Sequence, residues 1–229
     1  MTGERIALSE PLHIVHYPHP VLRTRSKPVE VLDASLERTV RGMFELMYAA
    51  RGIGLAANQV GLPFRFFILN LTADPEQPEH EQVFINPEIV KRHSSDEAEE
   101  GCLSLPGLYA PVHRAKRIRT KSYDIAGNLV ETEAEGLLAR AIQHEIDHLE
   151  GKLFIDYLGM LTRAKLARRI RQFETDYAEA QSAGRLASTD ALQKFVDEIR
   201  RQPGVPEPIL PPRLPESVER PSGAREDIA

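Results

Sequence analysis

The chain has almost no cysteine: one thiol, Cys102, in 229 residues. That excludes an internal disulfide framework. It fits a reducing compartment, where a lone Cys is more often a ligand or a nucleophile than a staple. Long apolar runs are missing too. Phe66–Leu69 is typical of what is present, whereas a membrane-spanning helix needs about 20 apolar residues. The first ten residues, MTGERIALSE, lack the apolar segment of a secretory leader. A cytoplasmic protein with no membrane partner is therefore expected. Excess positive charge is also absent. The net charge of -5 argues against a simple nucleic-acid-binding module and against specific DNA binding.

What remains is ordinary for a globular protein. With 41% hydrophobic and 28% charged residues the chain can build a sizeable core. Its length suits one domain or a domain with an appendage. The charge is uneven: residues 1–160 hold 17 Lys and Arg against 23 Asp and Glu, and residues 161–229 hold 12 against 11. Any polyanion contact is expected in the second part.

Prolines 11, 18, 20 and 28 punctuate the start, so residues 12–32 read as turns and irregular structure. Asp33 suits an N-cap, and Leu36, Val40, Met43, Phe44, Met47 and Tyr48 recur at helical spacing, which predicts a helix over 34–50. Strands are predicted over 64–71 and 82–93, with a polar loop between. A hairpin is predicted from 115–123 and 129–135 around Ala126-Gly127-Asn128. Residues 136–150 return to helical spacing. Residues 162–183 read as one long polar helix, and 190–201 as another, capped by Ser188 or Thr189. From Pro203 to Pro221, seven of 19 residues are proline, so the tail is expected to be extended and poorly ordered. The expected division is a catalytic domain over 1–160, a helical extension over 161–202 and a Pro-rich tail over 203–229.

The strongest local signal is Gln143-His144-Glu145-Ile146-Asp147-His148-Leu149-Glu150-Gly151. On a helix, residues i and i+4 share a face, so His144 and His148 present two imidazoles to one point. Glu145 lies beside them, placed to take a proton from a metal-bound water. The surrounding apolar positions mark the helix as buried, and buried charged groups need partners or a metal. Two histidines are not a complete site. No His follows His148, so the third ligand is left between Glu174, in a polar helix, and Cys102, in Glu99-Glu100-Gly101-Cys102-Leu103-Ser104-Leu105-Pro106-Gly107. A third segment, Gly52-Ile53-Gly54-Leu55-Ala56-Ala57-Asn58-Gln59-Val60-Gly61, lacks the Lys and Ser/Thr of a phosphate loop. Read alone it is a helix C-cap and turn, or small residues leading to one polar amide that line a pocket.

Taken together, the three segments resemble the peptide deformylase family, bacterial type. Its motifs GxGxAAxQ, EGCLS and QHExDHLxG stand here, in family order, as Gly52–Gln59, Glu100–Ser104 and Gln143–Gly151. The resemblance covers about 12–182. It implies an α+β fold, with small antiparallel or mixed sheets packed around a central metal-binding helix and a C-terminal helix beyond. It implies one catalytic divalent metal on Cys102, His144 and His148. Ferrous iron is the natural ion, and zinc, nickel or cobalt are accepted. The implied reaction removes the N-formyl group from the initiator methionine of a new polypeptide and releases formate. Glu145 would be the general base, with the Gln59 side chain and the Leu103 N–H as oxyanion donors. Ile53, Gly54 and Gly101 would bind an extended substrate. Leu137 and Ile142, with the alkyl stem of Arg140, would sit near the methionine side chain. Many members carry Arg where Tyr109 stands. Glu100 is expected to pair with Arg114, and Asp147 to orient a ligand histidine.

Rival readings are a zincin-type peptidase, a broader amidase and a non-catalytic binding protein. The absent downstream His counts against the first, and the intact motifs against the last. His13, His16 and His19 are not expected to bind metal, because Pro18 and Pro20 forbid a helix that would align them. The run Asp96–Glu100 reads as a solvated loop. The stretch 163–171 carries five positive charges in nine residues, with Leu166, Ile170 and Phe173 on one face. Arg163, Arg168, Arg169 and Arg171 are candidate ribosome contacts, on a protein expected to be a monomer.

Overall fold

A computed structural model describes residue 8 and residues 11–210. The first helix, α1 (Ala34–Ala49), starts where Asp33 accepts hydrogen bonds from the N–H groups of Ser35 and Leu36. Such a cap is worth about 1 kcal/mol. Its apolar face, with Leu36, Met43 and Met47 fully buried, packs against Phe64, Phe66 and Ile68 in the main core.

Seven strands follow: β1 (Gly54–Ala56), β2 (Phe66–Leu69), β3 (Gln82–His93), β4 (Asp96–Glu100), β5 (Ala110–Arg114), β6 (Arg117–Tyr123) and β7 (Leu129–Glu135). They form a five-stranded antiparallel sheet, ordered β1-β2-β3-β6-β7, and a separate antiparallel β4-β5 pair. Burial alternates along β5 and β6, as it must when one face meets a core and the other meets solvent. All four residues of β2 are buried, because α1 and the second helix cover its two faces.

That second helix is α2 (Gly136–Leu149). Ile142, Ile146 and Leu149 lie on Ala56, Phe67, Leu69 and Phe84 of β1, β2 and β3. Each such side chain contributes about 1.5–3 kcal/mol on burial. Gln143 fixes the helix from its other side: it exchanges hydrogen bonds with the backbone N–H (3.0 Å) and C=O (2.8 Å) of Ala115. The helix ends at Gly151, whose φ is +70° and whose missing Cβ would lie 2.6 Å from the Arg23 carbonyl oxygen. Only glycine fits both conditions.

Two helices complete the described chain, α3 (Met160–Ser182) and α4 (Thr189–Arg201). Leu166, Ile170 and Phe173 of α3 rest on a second core cluster, as their spacing predicts, yet no residue of α3 is fully buried. Ser188 caps α4 through the Ala191 N–H, and Val196 and Ile199 are buried in two different clusters. No helix among the described residues is long and apolar enough to cross a membrane.

Three local expectations need correction. Asp96–Glu100 is not a solvated loop but the strand β4, paired with β5 throughout, and Glu100 is buried. Charge alone suggested solvation, whereas pairing with β5 supplies a ladder. The segment 52–61 is more than a helix end and turn: it holds β1 and a short 3-10 helix, Ala57–Val60. The Pro-rich stretch is extended but anchored as far as residue 210. Val205 is fully buried, and Leu12 N–H donates to the Ile209 carbonyl at 2.8 Å. The rest of the expected tail, 211–229, lies outside the described residues.

Candidate metal centre and active site

On α2 the i and i+4 spacing brings the His144 and His148 rings to a centroid separation of 4.9 Å, with their Nε2 atoms 3.2 Å apart. Cys102, in the turn after β4, places Sγ 3.3 Å from His148 Nε2. Ligand atoms of all three lie within 4.8 Å of one another. A tetrahedral ion with bonds near 2.0–2.1 Å to nitrogen and 2.3 Å to sulfur needs edges of about 3.3–3.6 Å. The two measured edges are close to that, so the residues fit a metal. Glu174, the alternative third ligand, instead accepts from the Tyr17 hydroxyl at 2.8 Å on the surface.

The ligands are oriented from behind. Glu100 Oε2 lies 3.1 Å from His144 Nδ1, which turns Nε2 toward the centre. Arg114 holds Glu100 with Nε and Nη2, both at 2.9 Å, and Arg140 Nη1 adds a third contact at 2.7 Å. Burial opposes ionisation of Glu100, but the hydrogen bonds from Arg114 and His144 keep it well below the usual carboxylate range. The expected Glu100–Arg114 pair is therefore present. Asp147 does not orient a histidine. It binds Arg114 Nη1 and accepts from the Tyr157 hydroxyl at 2.8 Å.

Burial resists charge on His144, yet contacts with Cys102 and Glu100 push its pKa up to about 10, while burial and the neighbouring His144 hold His148 well below the ordinary imidazole range. Burial pushes Glu145 up to about 7, with His144 and Arg114 acting against it. Its Oε2 is buried with no hydrogen-bond partner among the described residues, and Oε1 lies so near Gly54 that a Cβ there would sit 2.5 Å away. The missing side chain at Gly54 is what admits the carboxylate.

Gln59 is buried in the 3-10 turn after β1. Its Oε1 accepts from the Ala56 N–H at 2.8 Å, which aims Nε2 at Cys102 Sγ (3.5 Å) and Ser104 Oγ (3.3 Å). The amide therefore donates toward the ligand triad.

A cleft of about 590 Å³ opens above this floor. Among the residues on its walls are Ile53, Gly54, Gln59, Gly101, Cys102, Leu103, Leu137, Arg140, His144 and Glu145. Ile142 is not on the wall: it is fully buried on the core face of α2. The Arg140 guanidinium is tied to Glu100 and to the carbonyls of Val112 (2.8 Å) and Asp96 (3.1 Å), so it fastens the β4-β5 pair to α2. Sequence reasoning missed His16 and the loop Leu71–Ala73, which also line the cleft. No local pattern marks them, because only the folded chain brings them there. His16 is the one member of the early His set at the cleft. Arg163, Arg168, Arg169 and Arg171 are all exposed on α3, and none is among the residues that line the cleft.

A Cys-His-His triad, with His148 buried and the other two half-buried, beside a buried carboxylate at the base of an open cleft, defines a metal-dependent hydrolase of the HExxH class. The comparisons with known proteins make this specific. Residues 11–164 match the family model for polypeptide deformylase. A peptide deformylase of Rhodopirellula baltica is 43% identical over 182 residues, 80% of this chain and 90% of that protein. One of Pseudomonas aeruginosa is 47% identical over 162 residues, 70% and 95% of the two chains. The crystal structure of a peptide deformylase from Legionella pneumophila superposes with a TM-score of 0.67 at 43% identity, covering 74% of this chain and 98% of that one. The chain belongs to the polypeptide deformylase family, metal-dependent enzymes that remove the N-formyl group from new polypeptides.

Proposed function

We propose that Cys102, His144 and His148 hold one divalent metal, ferrous iron in the native protein, with zinc, nickel or cobalt as substitutes, and that the reaction runs in the cleft above them. The observation that carries this reading is the triad's edge lengths together with Glu145 Oε2 beside it, buried and without a hydrogen-bond partner among the described residues. When bound, the metal supplies Lewis acidity, polarising the formyl carbonyl and making a water acidic near neutral pH. Glu145 takes the proton of the attacking water and delivers it to the methionine nitrogen as the C–N bond breaks, so formate and a free amine leave. Gln59 Nε2 and the Leu103 N–H donate to the carbonyl oxygen as it gains negative charge, about 2.7–4 kcal/mol for each such donor.

The peptide lies extended, with its backbone bound by Ile53, Gly54 and Gly101 in the manner of an added strand. Leu137 and the Arg140 stem border the methionine side chain. Tyr109 offers an aromatic wall to the later residues. Every one of these groups precedes residue 160, which favours a catalytic unit over 1–160 followed by a helical extension. The protein acts as a cytoplasmic monomer. The exposed Arg163, Arg168, Arg169 and Arg171 dock it on ribosomal RNA through phosphate contacts. The test of the reaction is formate release from a formyl-methionyl peptide beside an unformylated one. Release from the first and no cleavage of the second is expected. Cleavage of an internal peptide bond would favour the zincin reading.

A further inference from the structure

The chain continues well past residue 164, where the family model stops matching. Its continuation returns to the body of the protein. After α4, Lys27 Nζ donates to the Gln202 carbonyl at 2.6 Å. Val205 is fully buried in the main core. The Ser35 hydroxyl, itself buried, lies 2.8 Å from the Pro206 carbonyl oxygen and 3.1 Å from that of Val205. Arg38 holds Glu207 with two hydrogen bonds of 2.6 Å. The strap then meets the N-terminal segment, with Pro11 and Ile209 bridged in parallel and the Leu12 N–H donating to Ile209.

That N-terminal segment runs directly on to the active site. Val15 N–H donates to the Gln59 carbonyl at 2.9 Å, and Tyr17 N–H donates to the Ser104 carbonyl at 2.9 Å. Two residues apart, these amides fasten two separate loops. One loop carries the Gln59 amide, and the other carries the Cys102 thiol it faces. Ile14 and His16, between and beside the two anchors, line the cleft. The spacing of amide from thiol is thus set by a short extended segment, and the strap holds one end of that segment.

We propose that residues 202–209 are a positioning clamp: through residues 11–17 they fix the placement of Gln59 relative to Cys102, with Ser35 and Val205 as the residues that hold the clamp closed. The proposal rests on the oxyanion role given to Gln59 above. A strap that only added stability would lower the melting temperature and leave the site's geometry alone. A clamp must also loosen the two anchoring amides when it is released.

The test uses the full-length chain with two substitutions made separately, Ser35→Ala and Val205→Asp. Amide hydrogen exchange at Leu12, Val15 and Tyr17 is measured without substrate, and kcat and KM for a formyl-methionyl peptide are measured well below the melting temperature. Ser35→Ala is expected to raise exchange at all three amides by about tenfold through local opening. It is expected to lower kcat by about threefold to tenfold, with KM within about twofold, since a loosened donor acts mainly on the transition state. Val205→Asp is expected to do the same more strongly. If it does not fold, Ser35→Ala decides. Faster exchange at Leu12 with Val15 and Tyr17 unchanged would overturn the proposal, as would a lowered melting temperature with kcat unchanged. Exchange is read without turnover, so this failure is separable from failure of the catalytic reading, which would appear as no formate release from the unsubstituted chain.

Discussion

Helices α2 and α3 both carry apolar residues at helical spacing with charged residues between them, yet they treat charge in opposite ways. On α2, Glu145 and His148 are buried, and His144 is in contact with Glu100, which Arg114 and Arg140 hold in turn. On α3 no residue is buried and the arginines face solvent. The difference follows from what each helix packs on. The apolar face of α2 lies against the main sheet and the β4-β5 pair closes over its polar side, so its charges lose water and need partners. Helix α3 rests on the body along one apolar row, and its arginines are exposed to water. Two of the candidate metal ligands lie on the first helix, and the proposed ribosome contacts lie on the second.

Substitutions sharpen that contrast, and the largest effect is expected at the buried acid. Glu145→Gln keeps the volume of the side chain but cannot accept the proton, and kcat is expected to fall by about 10²–10⁴-fold with metal content unchanged. A rate near that of the unsubstituted protein would remove Glu145 from its role. Cys102→Ser replaces a soft thiolate by a hard, poorly ionised hydroxyl. Weaker metal retention in dialysis against a chelator is expected, with activity lost in proportion.

Gln59→Ala removes one donor and is expected to cost about 10²–10³-fold in kcat with little change in KM. An increase confined to KM would instead make Gln59 a binding residue. Glu100→Ala leaves Arg114 and Arg140 short of their shared carboxylate in a buried site, and denaturant unfolding is expected to show a loss of about 3–5 kcal/mol. A loss below 1 kcal/mol would mean that Asp147 and water replace it. The smallest effect on turnover is expected on α3. Reversing Arg163, Arg168, Arg169 and Arg171 to Glu should leave peptide deformylation unchanged while abolishing low-salt cosedimentation with ribosomes. Equal sedimentation of both proteins would leave α3 with packing alone.

Legibility in the sequence divides along the same line. Helix α1 with its Asp33 cap, strand β3 and the β6-β7 hairpin follow local periodicity and turn chemistry, and their bounds were readable to within a few residues. The two histidines were readable because i and i+4 on a helix is a local relation. Cys102 lies 42 residues away, so spacing alone did not establish it: Glu174 was disfavoured by its polar helix, and the joint motifs favoured Cys102. Strand β4 was missed because four of its five residues are acidic and four are exposed, while its ladder comes from β5. Ile142 was misplaced for a related reason. Helical spacing marks it as apolar, but which neighbour covers that face is decided by the sheet. The strap after α4 was hidden by its composition: seven prolines between residues 203 and 221 suggest an unanchored chain, and the contacts of Val205 and Ile209 are made with segments 170 residues or more earlier.

The most direct test of the account is the metal-to-protein ratio of anaerobically purified protein, read with formate release on the same preparation as metal is removed and restored. The expected result is one divalent metal per chain, with activity falling and returning in step with occupancy and with stoichiometric binding lost in His148→Ala. Full formate release from metal-free protein, or one tightly bound metal in the His148→Ala protein, would contradict it.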